Sequence, residues 1–370
     1  MTTLIFQEVK NMMQEYKRWI KEDLEDYFFL IYMPYNFNNI ENSIMSKVTF
    51  FHKKTSFIYD LNEVTKYNAM KSVVFVYSEI YIDEFIKVVN KCIELGINKN
   101  LILSKSELLF FYRCVFLSEA NFFSLEKIKS YLIKDKNNDG LQILNNIDNI
   151  KKCYDILSDD KSKKIYLRLI AKKLVWCVNC NDIFCEHQYF DSEVYNLTDS
   201  EFYVDAGSYD GDTIREFIKS VSDYSSVYAI EPYTVEYNKL LNATKKFKNI
   251  NCINVGLGDA NGFQFFQAAK NGSSKYIENG EYKCPIITGD SLKIAPTLIK
   301  MDIEGSELDA LKGFKETIKT YHPKLAVCIY HKIEDFWEIP LYIYNNFHYN
   351  SFYIRHYSNN FCETVFYSKI

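Results

Sequence analysis

Four short apolar runs in the C-terminal half each stop at a glycine or an acid, and that punctuation narrows the folds open to the chain. Phe202–Ala206 runs into Gly207-Ser208-Tyr209-Asp210-Gly211-Asp212-Thr213, followed by a helical pattern over Ile214–Val221. Val227–Ile230 stops at Glu231-Pro232, and Asn251–Val255 at Gly256-Leu257-Gly258-Asp259. Leu298–Met301 stops at Asp302-Ile303-Glu304-Gly305-Ser306-Glu307. Such runs read as strands of a parallel α/β sheet, and ligands of open sheets bind along the carboxyl edge where these turns fall. A glycine turn lets backbone amides approach a ligand with no Cβ in the way. A carboxylate about twenty residues further on, ending the neighbouring strand, can accept both hydroxyls of a ribose. The pair predicts a nucleoside site, with Asp259 placed to accept from an adenine amino group. Asp205 and Glu231 could instead cap helices or turns, but an acid after each of two successive strands favours binding.

A chain of 370 residues exceeds the size at which one core keeps growing, so two domains are expected, residues 1–190 and 191–370. The first reads as a mixed α/β, helix-rich domain of unassigned role. Ile5, Val9, Met12, Tyr16, Trp19 and Ile20 recur at helical spacing, which predicts an amphipathic first helix. Val73–Tyr77, the helical pattern Ile82 to Ile93, Gly96 and Leu101–Leu103 read as strand, helix, stop and strand. The turn Ser78-Glu79-Ile80-Tyr81 has no glycine to bring amides near a phosphate, so the unit reads as structural. Helical patterns recur over Leu125–Ile133 and Ile165–Val175, and Lys134–Gly140 reads as an exposed loop.

The formal charge of -4 provides no basic field for nucleic acid. No apolar run approaches the roughly 20 residues of a spanning helix, and no secretory leader is visible. Ten cysteines without an export signal fit reduced thiols, so the expected location is the cytoplasm. Cys177, Cys180, Cys185 and His187 offer four soft ligands suited to structural zinc, but their second half is compressed relative to common zinc modules. Unligated thiols are the alternative reading.

In order along the chain, VDAGSYDGDT, AIEP, NVGLGD, GSS, TGDSL, IKMDIEGSELDALKG, IYHKIEDFWEIP, and RHY followed by ETV resemble the FkbM family of methyltransferases. The resemblance covers Tyr189 to Ser368. It implies a class I, Rossmann-like seven-stranded sheet with an antiparallel final hairpin, here Phe352–Tyr357 and Thr364–Ser368. It implies S-adenosyl-L-methionine as cofactor, with Asp205, Gly207 and Asp210 around its methionine part, Glu231 on the ribose and Asp259 near the adenine. Tyr209, Thr213 and Pro232 belong to the same cofactor motifs.

The implied reaction is O-methylation of a sugar, glycan or secondary metabolite, so the expected partner is a hydroxylated acceptor, with a homo-oligomer left open. A cofactor-binding scaffold in glycan assembly is the alternative. An alcohol acceptor must lose a proton, to a base or under the pull of a divalent ion. Asp302 and Glu304 supply a base or hard oxygen ligands, and His331, after the strand Lys324–Tyr330, titrates in a suitable range. Plainer readings are that Asp302 orders the cofactor loop, Glu307 faces solvent and His331 caps a strand. Tyr330, Arg355 and His356 are candidates for shaping the acceptor cleft.

Overall fold

The computed structural model describes residues 1–20, 28–32, 55–58, 60–67, 72–76, 88, 90–97, 102–104, 138–175, 177, 179–267, 275–276 and 282–370. Two compact units divide the chain: Thr2–Leu144 with Ile170–Val178, and Asn145–Leu169 with Asn179–Ile370. In the first, helix α1 (Thr2–Ile20) buries Ile5, Val9 and Met12, three positions of the expected stripe. Strands β1 (Phe28–Tyr32), β2 (Thr55–Ile58), β3 (Ser72–Val76) and β4 (Ile102–Ser104) form a parallel sheet in the order β2-β1-β3-β4. Leu30 and Val74 bury into a cluster with Val64, Cys92 and Ile97. Helix α2 (Asn138–Asn145) claims the end of the stretch read as a loop, because Asp139 suits a helix's first turn. Residues 134–137 and the expected helix Leu125–Ile133 lie outside the described residues. Among the described residues no helix is long and apolar enough to cross a membrane.

The second unit opens with α3 (Ile147–Ile156) and most of α4 (Asp160–Val175). Strand β5 (Phe202–Ala206), α5 (Asp212–Ser220), β6 (Ser226–Ile230), α6 (Thr234–Thr244) and β7 (Ile250–Ile253) follow. A small sheet of β8 (Gly256–Leu257), β9 (Gly262–Gln267), β10 (Lys275–Tyr276) and β11 (Tyr282–Ile287), ordered β10-β9-β11-β8, comes next. Then come β12 (Leu298–Met301), α7 (Glu307–Gly313), α8 (Lys315–Tyr321), β13 (Lys324–Cys328), α9 (Asp335–Asn346), β14 (Ser351–His356) and β15 (Thr364–Lys369). The main sheet has seven strands in the order β14-β15-β13-β12-β5-β6-β7. Strand β15 is antiparallel to both neighbours and the remaining pairs are parallel. All four β12 residues are buried, as a strand covered on both faces requires, and one of them is a lysine.

The helices before residue 190 join this sheet because its edge needs them. Strand β14 would otherwise expose backbone groups to pairing. Ser158 Oγ accepts from Phe352 N at 2.8 Å, Ser158 N donates back to Phe352 O at 2.8 Å, and Ser162 Oγ accepts from Ile354 N at 3.0 Å. Arg355, 1% exposed, donates to Ser162 Oγ and reaches Asp159 Oδ2 at 2.7 Å and Asp191 Oδ2 at 3.4 Å. Pro340, inside α9, cannot donate to the carbonyl four residues back. Tyr166 of α4 donates to that carbonyl, of Phe336, at 3.0 Å. Asn145–Leu169 therefore belong to the same compact unit as Asn179–Ile370.

The cysteine segment packs against the final hairpin. Cys180 N donates to Asn359 O at 2.9 Å and Cys185 N to His356 O at 2.7 Å, which strings the segment along the β14–β15 hairpin. The thiol of Cys185 turns to the carbonyl of Ile183. Among the described residues, the group of three or more candidate ligands with atoms within 4.8 Å is Asp302, Glu307 and His331, and it includes none of Cys177, Cys180, Cys185 or His187.

Candidate active site

The turns after β5, β6 and β12 converge on a cavity of about 420 Å³ at the carboxyl rim of the main sheet. Gly207, Tyr209, Thr213, Glu231, Pro232, Asp302 and Glu304, all candidate site residues of the sequence, line it. Val255, Gly256 and Leu257 add an apolar patch.

The loop after β5 uses its amides in an unexpected way. Gly207 N and Ser208 N both donate to Ile230 O, at 3.0 and 3.1 Å, and so tie β5 to β6 rather than facing a ligand. Gly207 has φ +78°, and a Cβ there would lie 1.8 Å from Asp302 O, so the glycine makes room for the β12 turn. The next amide, of Tyr209, donates to Glu231 Oε2 at 3.0 Å, and Tyr233 N donates to Glu231 Oε1 at 2.8 Å. Two backbone donors thus aim one carboxylate, with a lone pair left on each oxygen. Burial pushes the Glu231 carboxyl up to about 7, against the pull of those two amides.

Asp205 and Asp210 do not line the cavity. Asp205 is fully buried, with Oδ1 3.0 Å from Lys300 Nζ. Lys300 also donates to Gly207 O at 2.7 Å and to Ala206 O at 3.3 Å, and does line the cavity. Burial disfavours its ammonium, but the charges of Asp205 and Asp302 outweigh that and raise its pKa. Asp205 thereby anchors a lysine that braces the loop. Asp210 pairs with Arg215 at 3.2 Å, and Asp259 is exposed on a turn, away from the lining.

At the other end of the cavity stands Asp302. Tyr189 donates to its Oδ2 at 2.8 Å and Tyr330 to its Oδ1 at 3.1 Å. Burial raises its pKa, but Lys300, His331 and the two phenols outweigh burial and hold it below the ordinary carboxylate range. His331 sits behind it, with Nε2 3.4 Å from Asp302 Oδ1 and 3.7 Å from Glu304 Oε2, and Nδ1 3.0 Å from Glu307 Oε1. Burial opposes a charge on that ring, yet Glu307, Asp302 and Glu304 prevail and push it up to about 9. The histidine expected as a base therefore already holds its proton at neutral pH. Glu307, read as solvent-facing, is fully buried and accepts from Ile303 N at 2.8 Å and Gly305 N at 3.4 Å. Arg355 and His356 lie outside the cavity, Arg355 in the ion pairs at β14 and His356 with Nδ1 2.8 Å from Thr364 Oγ1.

Sequence reasoning missed Lys300, Gln188, Tyr189 and Glu363. Lys300 had a signal, a charge inside an apolar run, which is almost never buried unless paired. Glu363 had none. Its carboxylate lines the cavity, accepts from Gln188 Nε2 and lies 3.4 Å from Tyr330 Oη, and burial together with the charge of Asp302 raises its pKa. Tyr189, Tyr209, Glu304 and Glu363 all line the cavity and all hold positive φ, at 65, 45, 57 and 58°. Strained backbone of this kind collects at working sites.

A seven-stranded sheet with a reversed final hairpin, carrying an acid-lined cavity at its carboxyl rim, is the fold of the class I methyltransferases. More narrowly, residues 290–357 match the family model of the methyltransferase FkbM domain. The fold resembles the crystal structure of methyltransferase FkbM from Methylobacillus flagellatus KT, with a TM-score of 0.60 and 18% identity over 97% of this chain and 99% of that one. These two findings bear out the resemblance read from the sequence. Precorrin-6y C5,15-methyltransferase from Geobacter metallireducens GS-15 also matches, with a TM-score of 0.32 and 10% identity over 51% of this chain and 93% of that one. So does Aeropyrum pernix fibrillarin in complex with natively bound S-adenosyl-L-methionine, with a TM-score of 0.32 and 7% identity over 47% and 68%. Comparison with curated proteins gives no match in sequence.

Proposed function

We propose that the protein transfers a methyl group from S-adenosylmethionine to a hydroxyl of a sugar, glycan or secondary metabolite. One observation carries this reading: a single cavity holds two differently fixed carboxylates, Glu231 aimed by backbone amides and Asp302 by two phenols. The residues fit the cofactor. The free lone pairs of Glu231 suit the two hydroxyls of a ribose, Val255 and Leu257 offer apolar contact to a base, and the volume falls in the range of small-molecule sites.

When bound, the cofactor supplies an activated methyl carbon on a sulfonium. The chain's own residues must align an acceptor oxygen with that carbon and take its proton. Asp302, kept ionised, accepts a hydrogen bond from the acceptor hydroxyl and fixes its direction. Glu363, on the same wall and with a raised pKa, is the better proton acceptor. Protonated His331 stabilises the Asp302 charge from behind. Lys300 keeps the loop of Gly207 against β12, and with it the spacing between the two ends.

The test couples binding to turnover. Calorimetry with S-adenosylhomocysteine should show binding by the full chain and weaker binding by Glu231→Ala. Labelled methyl should pass to members of a panel of neutral glycosides, and Asp302→Ala should stop the transfer while sparing binding. Binding without transfer to any acceptor would favour the scaffold reading, and a folded protein that binds no S-adenosylhomocysteine would remove the proposal altogether.

A further inference from the structure

We propose that Asp302, Glu304 and His331 hold a divalent cation at the acceptor end of the cavity, with Glu307 as the residue that orients the imidazole. The role given to the ion rests on the acceptor-site reading above, whereas the binding itself does not. Three independent features of the cluster support it.

The first is geometry. Oxygen and nitrogen ligands at about 2.1 Å from an ion, at right angles to one another, lie about 3 Å apart. His331 Nε2 stands 3.4 Å from Asp302 Oδ1 and 3.7 Å from Glu304 Oε2, near that spacing on both sides of the imidazole.

The second is the imidazole itself. Its side chain is 9% exposed, and Nε2 has no hydrogen-bond partner, although three carboxylates surround the ring. Buried polar atoms left in that condition call for a ligand. Glu307 completes the picture, because its Oε1 lies 3.0 Å from Nδ1 and is held by the amides of Ile303 and Gly305. A carboxylate on one ring nitrogen and an ion on the other is the usual way a metal-binding histidine is fixed, and the ion takes the place of the Nε2 proton that the ring otherwise holds.

The third is charge. Three carboxylates meet one imidazole, and two nearby ammonium groups are occupied: Lys300 with Asp205 and two carbonyls, Lys332 with the carbonyl of Gly305. Two carboxylates and one imidazole suit a hard to borderline ion such as Mn²⁺. Asp302 and Glu304 line the cavity while His331 and Glu307 do not, so the open coordination positions would face the acceptor. A hydroxyl bound there is acidified. Its proton passes to Glu363, the oxygen electron pair forms the bond to the methyl carbon, and the carbon–sulfur bond breaks with its electrons left on sulfur.

The experiment is a Mn²⁺ titration of the full chain, without cofactor or acceptor, followed by electron paramagnetic resonance. One equivalent should bind, and its spectrum should carry the coupling to an imidazole nitrogen. Glu304→Gln changes a side chain that is 37% exposed, so the fold should survive, and it should weaken Mn²⁺ at least tenfold. His331→Asn should remove the nitrogen coupling, and Glu307→Gln should weaken binding roughly 10–100-fold as an orienting residue does. S-adenosylhomocysteine calorimetry on each variant checks folding and cofactor binding separately. No bound Mn²⁺, or binding that ignores both Glu304→Gln and His331→Asn, overturns the site. Loss of S-adenosylhomocysteine binding in the unmodified protein would instead count against the cofactor reading.

Discussion

The two ends of the cavity hold carboxylates by opposite means. Glu231 is fixed by the amides of Tyr209 and Tyr233, groups that any side chains at those positions would provide. Asp302 is fixed by the phenols of Tyr189 and Tyr330 and by the ring of His331, which come from distant parts of the sequence. Backbone donors make an end that tolerates substitution around it and varies little in what it binds. Side-chain donors make an end that single substitutions can retune, as the acceptor end of an enzyme with a shared cofactor requires.

The largest expected effect falls on the end built from side chains. Asp302→Asn keeps the shape and removes the charge, and should lower kcat roughly 10²–10⁴-fold, the usual contribution of acid–base groups. S-adenosylhomocysteine affinity should stay unchanged. If calorimetry showed that affinity falling together with kcat, the two ends would not be separable and the contrast drawn above would fail.

Next comes the seam between the ends. Gly207→Ala would put a Cβ 1.8 Å from Asp302 O in a backbone region that disfavours it. A stability loss of about 2–4 kcal/mol is expected from the clash and the strain together. Thermal unfolding with and without S-adenosylhomocysteine measures it, and a melting temperature unchanged from the parent would mean that the β5 and β12 turns are not so tightly packed. A smaller effect is expected at the backbone-held end. Glu231→Ala should weaken S-adenosylhomocysteine roughly tenfold to a hundredfold, the worth of hydrogen bonds to one charged acceptor, and leave the fold intact.

The same contrast explains what could be read from the sequence. Strands β5, β6, β12 and the β14–β15 hairpin were legible because each is a short apolar run with a marked end, and Glu231 was legible because it is the marker itself. Local pattern also suggested free amides after Gly207, but tertiary packing spends them on Ile230 and makes the glycine a spacer for Asp302. Asp205 shares a motif with the site and lies beneath it, because β5 alternates its side chains and Lys300 claims the carboxylate. The places of Tyr189 and Glu363 were illegible, since Tyr189 reaches Asp302, and Glu363 reaches Tyr330, through chain reversals that leave no periodic trace. The start of the second unit was hidden for a related reason: Ser158, Ser162 and Tyr166 look like ordinary helix and linker residues until β14 and Pro340 are found beside them.

The smallest effect is a dependence on pH that only the Glu231 end should show. Its carboxyl has a pKa of about 7 in the folded protein against an ordinary 4.5, because burial favours the neutral form. A raised acid stabilises the fold below its unfolded pKa, and that contribution fades as pH rises from about 4.5 through about 7. Ribose hydroxyls donate hydrogen bonds, so they favour the ionised carboxylate and pull the equilibrium the other way. Affinity for S-adenosylhomocysteine should therefore rise about tenfold between pH 6 and pH 8, with up to one proton released on binding near pH 6. Calorimetry in two buffers of different ionisation enthalpy counts that proton directly. In Glu231→Gln both the slope and the proton should vanish, and a slope that persisted there would move the titration to another group and leave Glu231 ionised from the start.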